Sequence, residues 1–333
     1  MSDETATGPA SIRAGRAEYL IATAARAPSV HNTQPWRFKV TESAIELYCD
    51  FRRQLLADPD GREMLISCGA ALYGLRLAVR SLGYLPVVDV LPQPGSPRLL
   101  ARVTLGAAAR VTAAEREMLK ALPHRHTHRG VFAADPLPAG LLAELEHDAM
   151  AEGARLHIVD QGVAYQRLAD IVSTASRGLE LDPWAQFEMR FWSGSAAGPG
   201  RGGVPARAFP ATTTSRPGRR PGRLRQRDFD LGRGIGQLST DGPGPAVTAV
   251  LLTMGDGRRE WLCAGQALYR LLLHAATRSV FASLYTQPLE HELARTAIQD
   301  RLALPGAVQM LLQLGVADTA QPTTRRPPED VSG

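Results

Sequence analysis

Residues 27–38 read APSVHNTQPWRF, and within them Ser29, His31, Asn32, Thr33 and Gln34 place five hydrogen-bonding side chains in six positions. Pro28 disfavours helix for the residue before it, and Pro35 restricts Gln34 to an extended conformation. The backbone between the two prolines is expected to be a fixed loop. A fixed loop dense in donors and acceptors can hold a flat polar ligand.

A second polar cluster runs from Arg125 through His126, Thr127 and His128 to Arg129. In an extended segment successive side chains point to opposite faces, so Arg125, Thr127 and Arg129 share one side. Two guanidinium groups flanking a hydroxyl make a phosphate clamp; the plain alternative is a solvated basic turn. Arg325 and Arg326, before two prolines near the C-terminus, read by themselves as a charged tail. His124, His126 and His128 could align three imidazoles along a strand, but no carboxylate or cysteine accompanies them and arginines interleave, so no metal centre is expected. Asp58, Asp60 and Asp135 lack the spacing of paired-carboxylate catalysis. No GxSxG elbow, P-loop or GxGxxG fingerprint occurs in a supporting context, and no side chain is assigned a catalytic role.

The chain of 333 residues is long enough for two related lobes or one large domain with an insertion. Its 44% hydrophobic and 21% charged content is ordinary for a globular protein with a sizeable core. The net charge of +5 is carried almost wholly by arginine, since Lys39 and Lys120 are the only lysines. Cys49, Cys68 and Cys263 lie far apart and fit neither a disulfide framework nor a metal site, which points to a reduced, cytoplasmic compartment. The N-terminus lacks the pattern of a secretory signal, and no apolar run approaches the ~20 residues of a membrane helix.

Those polar clusters need elements to hold them. Helices are expected over 13–26, 68–82, 113–122, 137–150, 164–178, 183–192, 258–276 and 289–302, and strands over 36–40, 44–48, 85–91, 99–105, 155–159, 247–253 and 308–314. Both halves mix helices with strands, and no exact repeat is legible. Between 193 and 240 glycine and proline dominate, and nine arginines fall from Arg201 to Arg233. The segment reads as a surface insertion or as a lid over a ligand, because long structureless loops commonly serve as covers or linkers. Its arginines, including Arg216, Arg219, Arg220 and Arg223, lack the aromatic interleaving of a nucleic-acid surface, so no nucleic-acid partner is expected.

The run APSVHNTQPWRF resembles the flavin-contacting loop of the nitroreductase family, and RHTHRGVF at 125–132 resembles that family's Arg-x-Ser/Thr-x-Arg flavin-phosphate motif. The loop precedes the arginine motif, an order similar to the Acg-type branch, in which two degenerate lobes are joined in one chain. SCGAALYGLRLAVRSLGY at 67–84, RDFDLG at 227–232, WLCAGQALYRLLLHA at 261–275, TQPLE at 286–290 and RRPPEDV at 325–331 also resemble that branch. The resemblance implies an α+β nitroreductase-like fold of two pseudo-symmetric lobes that mimic the family homodimer, over 1–122 and 123–333, in a chain that is monomeric. It implies one FMN held by Ser29, His31, Asn32, Thr33 and Gln34 from the first lobe and by Arg125, Thr127, Arg129 and Arg325 from the second. Asn32 and Gln34 fall on the ring, and His126 and His128 on the face opposite the clamp. The implied activity is hydride transfer from NAD(P)H through FMN to a nitroaromatic, quinone or similar small-molecule acceptor. The alternative is a flavoprotein that sequesters or stores FMN with little turnover.

Overall fold

Apolar side chains recur along the stretch that follows Gly61, and the helix they form starts earlier than their periodicity alone predicts. In the computed structural model, which describes residues 12, 14–194, 202–209, 212–213, 224–231, 233, 238–239, 246–318 and 320–333, this helix begins at Arg62. The Asp58 carboxylate accepts hydrogen bonds from the backbone N–H groups of Glu63 (3.1 Å) and Met64 (2.8 Å), satisfying donors that a first helical turn leaves open. Capping therefore extends the helix back to Arg62, ahead of the 68–82 stripe.

The first half of the chain runs α1 (Ala14–Ala24), β1 (Trp36–Val40), β2 (Ala44–Cys49), α2 (Arg62–Ser81), β3 (Tyr84–Val90), β4 (Leu99–Ala108) and α3 (Ala113–Ala121). The second runs α4 (Leu141–Ala151), β5 (Arg155–Ile158), α5 (Val163–Leu181), α6 (Pro183–Phe191), two-residue strands β6 (Thr212–Thr213) and β7 (Leu238–Ser239), then β8 (Val247–Thr253), α7 (Arg258–Ala276), β9 (Val280–Leu284), α8 (Glu292–Arg301), β10 (Ala307–Val316) and α9 (Pro328–Val331). Strand β9 was not expected from the sequence. The helix expected over 289–302 resolves into a short turn, Gln287–Leu289, followed by α8.

Two four-stranded antiparallel sheets result, in the orders β1-β2-β4-β3 and β5-β8-β10-β9. Reading β5, β8, α7, β9 and β10 against β1, β2, α2, β3 and β4 gives the same succession of elements and the same sheet order. The halves differ where lobe one closes β1 to β2 with a tight turn, because lobe two places α5, α6 and the Gly/Pro/Arg-rich segment between β5 and β8. No described helix is long and apolar enough to cross a membrane.

Helices α2 and α7 pack against each other at their glycines. A Cβ on Gly69 would lie 2.3 Å from the Leu262 carbonyl oxygen, and one on Gly265 would lie 1.9 Å from the Ile66 carbonyl oxygen. Each glycine thus meets the carbonyl three residues before the other, the reciprocal contact of a two-fold, isologous interface. The sequence carries the same symmetry, since G-x-A-L-Y-x-L-x-L occurs at 69–77 and again at 265–273. Tyr73 and Tyr269, equivalent in this repeat, meet edge to face with centroids 6.1 Å apart. Cores are exchanged as well: Leu262, Tyr269 and Leu273 of α7 join the cluster on the first sheet, while Ile66 of α2 joins that on the second.

Gly265→Ala should therefore lower unfolding free energy by about 3 kcal/mol or more in denaturant titration, at the upper end of overpacking costs. Gly15→Ala on α1, where nothing lies within 4 Å of the added methyl group, should stabilise by up to about 1 kcal/mol.

Candidate functional site

The polar loop between α1 and β1 is built on left-handed backbone. Val30–Asn32 form a single 3-10 turn, and His31, Asn32 and Gln34 have φ of 45°, 56° and 51°. Residues with a Cβ adopt such angles at a cost of about 1–3 kcal/mol each unless their surroundings over-determine them. The expectation that Pro35 holds Gln34 extended is thus corrected. The Gln34 N–H donates to Ser29 Oγ (3.0 Å) and its Oε1 accepts from the Arg326 N–H (2.7 Å), two bonds that outweigh the preference set by proline.

Most of the loop's polar side chains hold the loop itself. Asn32 donates through Nδ2 to the carbonyls of Gly203 (2.9 Å) and Thr324 (3.0 Å), and its Oδ1 accepts from Arg325 Nη1 (3.0 Å). The amide of Gln34 is used between Asn32 and Arg326. Thr33 is fully buried, and its carbonyl accepts from Arg53 Nε. Asn32 and Gln34 therefore clamp the C-terminal segment to the loop, and of the five residues only Ser29 and His31 line the cleft beside it.

That cleft has α2 and α7 as its floor, through Glu63, Ile66, Ser67, Ala70 and Leu268. Ser29, Val30 and His31 form one rim, and Thr127, His128 and Arg129 the other. It holds about 770 Å³ of space, counted with the solvent at its mouth. Ser67 ties floor to rim by accepting from the Val30 N–H (3.2 Å). Gln226, Arg227 and Phe229, in the described part of the Gly/Pro/Arg-rich segment, also line the cleft. Phe229 meets the His31 ring edge-on at 5.8 Å. Arg201, Arg216, Arg219, Arg220 and Arg223 lie outside the described residues.

His31 is buried, and neither ring nitrogen has a hydrogen-bond partner among the described residues. Burial, then the positive charges of Arg227 and Arg129, hold its pKa well below the usual histidine range, so the ring is neutral near pH 7.

Three arginines converge behind the second rim. The Arg125 guanidinium lies 5.5 Å from the Tyr269 ring centroid, and Arg129 lies 5.4 Å from that of Phe229. Arg325, between Asn32 and the Thr323 and Thr324 backbone, feels the charges of Arg125, Arg26 and Arg129. None of the three forms an ion pair among the described residues, and Arg125 Nε, Arg129 Nη1 and Arg325 Nε are buried without acceptors. Burial, then neighbouring positive charge, brings Arg129 down to about 10 and Arg325 to about 9. Such a set of unpaired cations is configured for an anion.

Residues 125–129 are irregular rather than a strand, which changes which side chains share a face. Thr127, His128 and Arg129 all line the cleft. His126, expected on the opposite face, is near enough to Arg125 and Arg325 that burial and those charges lower its pKa to about 3. The Ala282 carbonyl accepts from the His128 N–H, and Ser283 Oγ donates to the His128 carbonyl, so the segment follows the unexpected strand β9. No group of three or more His, Cys, Asp or Glu among the described residues is placed to hold a metal ion.

Sequence reasoning missed Glu63, Ser67, Arg227, Phe229 and Leu268 as cleft residues. The repeated G-x-A-L-Y-x-L-x-L pattern marks the floor helices and could have directed attention to the residues just before it.

No family model matches the chain. The Mycobacterium tuberculosis protein Rv3131, provisionally named an NAD(P)H nitroreductase, is 35% identical over 316 residues, 92% of this chain and 88% of its own length. The protein acg of the same organism, with the same provisional description, is 28% identical over 314 residues and 92% of each chain. Among solved structures, the FMN- and NADPH-dependent nitroreductase NfnB from sphigopyxis sp. strain HMH aligns over 64% of this chain and 96% of its own, at 16% identity and a TM-score of 0.39.

Sulfate, at constant ionic strength, should raise the melting temperature of the wild type more than chloride does, and the Arg129→Ala, Arg325→Ala double variant should lose that difference. Asn32→Ala, which removes the three hydrogen bonds that tie the loop to Gly203, Thr324 and Arg325, should cost about 1–3 kcal/mol in denaturant titration and quicken proteolysis of the segment after 320.

Proposed function

Because the chain belongs to the nitroreductase family, we propose that it is an FMN-binding oxidoreductase that carries reducing equivalents from NAD(P)H to a small-molecule acceptor such as a nitroaromatic or quinone. The observation that carries this reading is the convergence of Arg125, Arg129 and Arg325 with no carboxylate paired to them beside an open cleft. Their three buried N–H groups, unpartnered among the described residues, fit a phosphate, and Ser29, Val30 and His31 face Thr127 and Arg129 across the adjoining cleft.

On this reading Arg125, Arg129 and Arg325 hold the FMN phosphate. Ser29, the backbone at Val30, His31 and Thr127 bound the ring, while Asn32, Thr33 and Gln34 act through the loop they stabilise. FMN supplies the redox chemistry, and the protein supplies position, electrostatics and access. Neutral His31 adds no positive charge at the rim. The described residues of 1–122 and of 123–333 supply the two halves, except that Val331 returns to the core on the first sheet, and these halves meet as an internal pseudo-dimer in a monomeric chain. Gln226, Arg227 and Phe229 belong to a cover over the cleft and limit what reaches it.

The purified protein should be yellow and should bleach anaerobically on adding NADH or NADPH; a colourless chain that takes up no FMN overturns the proposal. Bleaching by dithionite but not by either nicotinamide would favour a sequestering flavoprotein, which the Phe229 cover would suit. Replacing Arg129 and Arg325 with alanine should weaken FMN binding at least tenfold per arginine by flavin fluorescence titration, since a hydrogen bond to a charged group is worth about 1.5–3 kcal/mol.

A further inference from the structure

Glu63 stands at the N-terminal end of α2, buried to 3% exposure, and lines the cleft. One carboxyl oxygen accepts from Arg62 Nη2 (3.3 Å), and Oε2 has no partner among the described residues. The side chain of Glu290, just after the Gln287–Leu289 turn, is as deeply buried, pairs through Oε1 with Arg227 and Thr286, and likewise has no partner for Oε2 among the described residues. Asp58 joins the group from the loop before α2.

Glu188, which accepts from the Leu56 and Ala57 N–H groups, also faces Glu290 and Arg227, so four carboxyl groups share two guanidiniums, and both arginines have other duties. Arg62 also bonds the carbonyls of Gln309 and Leu289, and Arg227 also bonds Thr286. The nearby Arg295 is paired with Asp256. Full ionisation would leave a buried surplus of negative charge, which carboxyl clusters relieve by retaining a proton. Burial first, then the charge of Glu290, push the Glu63 pKa well up. Glu63, whose Oε2 accepts no hydrogen bond among the described residues, is the member of the cluster on the cleft wall and the one favoured to retain the proton.

We propose that Glu63 is the proton donor for the acceptor reduced in this cleft, with Glu290 as the positioning residue that keeps it protonated. The proposal rests on the oxidoreductase reading given above. A quinone reduced with NAD(P)H as the source of hydride gains two electrons and one proton in that hydride and needs one more proton on oxygen. The Glu63 carboxyl O–H bond breaks, its proton forms the second quinol O–H bond, and the carboxylate left behind is reprotonated from water. Proton donors of this kind contribute about 10²-fold or more to a rate.

Infrared difference spectroscopy of the full chain at pH 7, wild type against Glu63→Gln, tests the assignment without relying on turnover. A carboxylic-acid carbonyl band that shifts in D2O should be present in the wild type and missing from the variant. Reduction of a quinone by the flavin-loaded variant should slow by about 10²-fold, whereas anaerobic bleaching by NAD(P)H should change far less. Wild-type quinone turnover should fall as rising pH strips the Glu63 proton, and Glu290→Gln, which removes the opposing charge, should move both that fall and the infrared band to lower pH. Absence of the band, its persistence in Glu63→Gln, or unchanged quinone reduction overturns the proposal. If Glu63→Gln does not fold, the shift in Glu290→Gln decides. A colourless protein that still shows the band overturns the oxidoreductase reading while leaving the protonated Glu63 in place.

Discussion

Backbone contact between α2 and α7 at Gly69 and Gly265 sets the geometry on which everything else in the molecule rests. Because no side chain intervenes, each helix can reach the other's sheet, and Leu262, Tyr269 and Leu273 bury into the first core as Ile66 buries into the second. The same contact fixes the height of the cleft floor, since Ile66 and Ala70 sit against Gly265, and Leu268 follows it by one turn. Separating the helices by one methyl group would part the rims as well as loosen the cores.

The strained loop shows how polar side chains can serve a site without facing it. Three left-handed residues in four positions hold because Ser29, Asn32 and Gln34 give their hydrogen bonds to the loop and to the 324–326 segment. Arg325 is brought to Asn32 by the same network. The cation cluster therefore draws on the C-terminal segment as much as on the 125–129 motif, and loop and cluster form one electrostatic unit.

Much of this was legible in the chain. Apart from β9 and the two-residue β6 and β7, the strands follow from alternating or continuous apolar runs, and the densest polar residues do flank the cleft. Direction was not legible: Asn32 and Gln34 are of the right type to meet a ring, but what decides their orientation is Gly203, Thr324 and Arg326, far along the sequence. Alternation failed at 125–129 because nothing local forces an irregular segment to be extended. Glu63 escaped notice because its partners, Asp58, Glu290 and Arg227, converge only in space. The repeat at 69–77 and 265–273 was present but masked by an insertion that makes the halves unequal in length.

The carriage of both halves on one chain has a consequence for how the cleft assembles. A two-subunit cleft comes apart on dilution, because its walls meet by bimolecular association. Here the two walls are covalently joined, at a local concentration on the order of millimolar however thin the solution. Covalent joining also frees each half from being a copy of the other. That allows α5 and α6 to occupy one side of the pseudo-dyad alone.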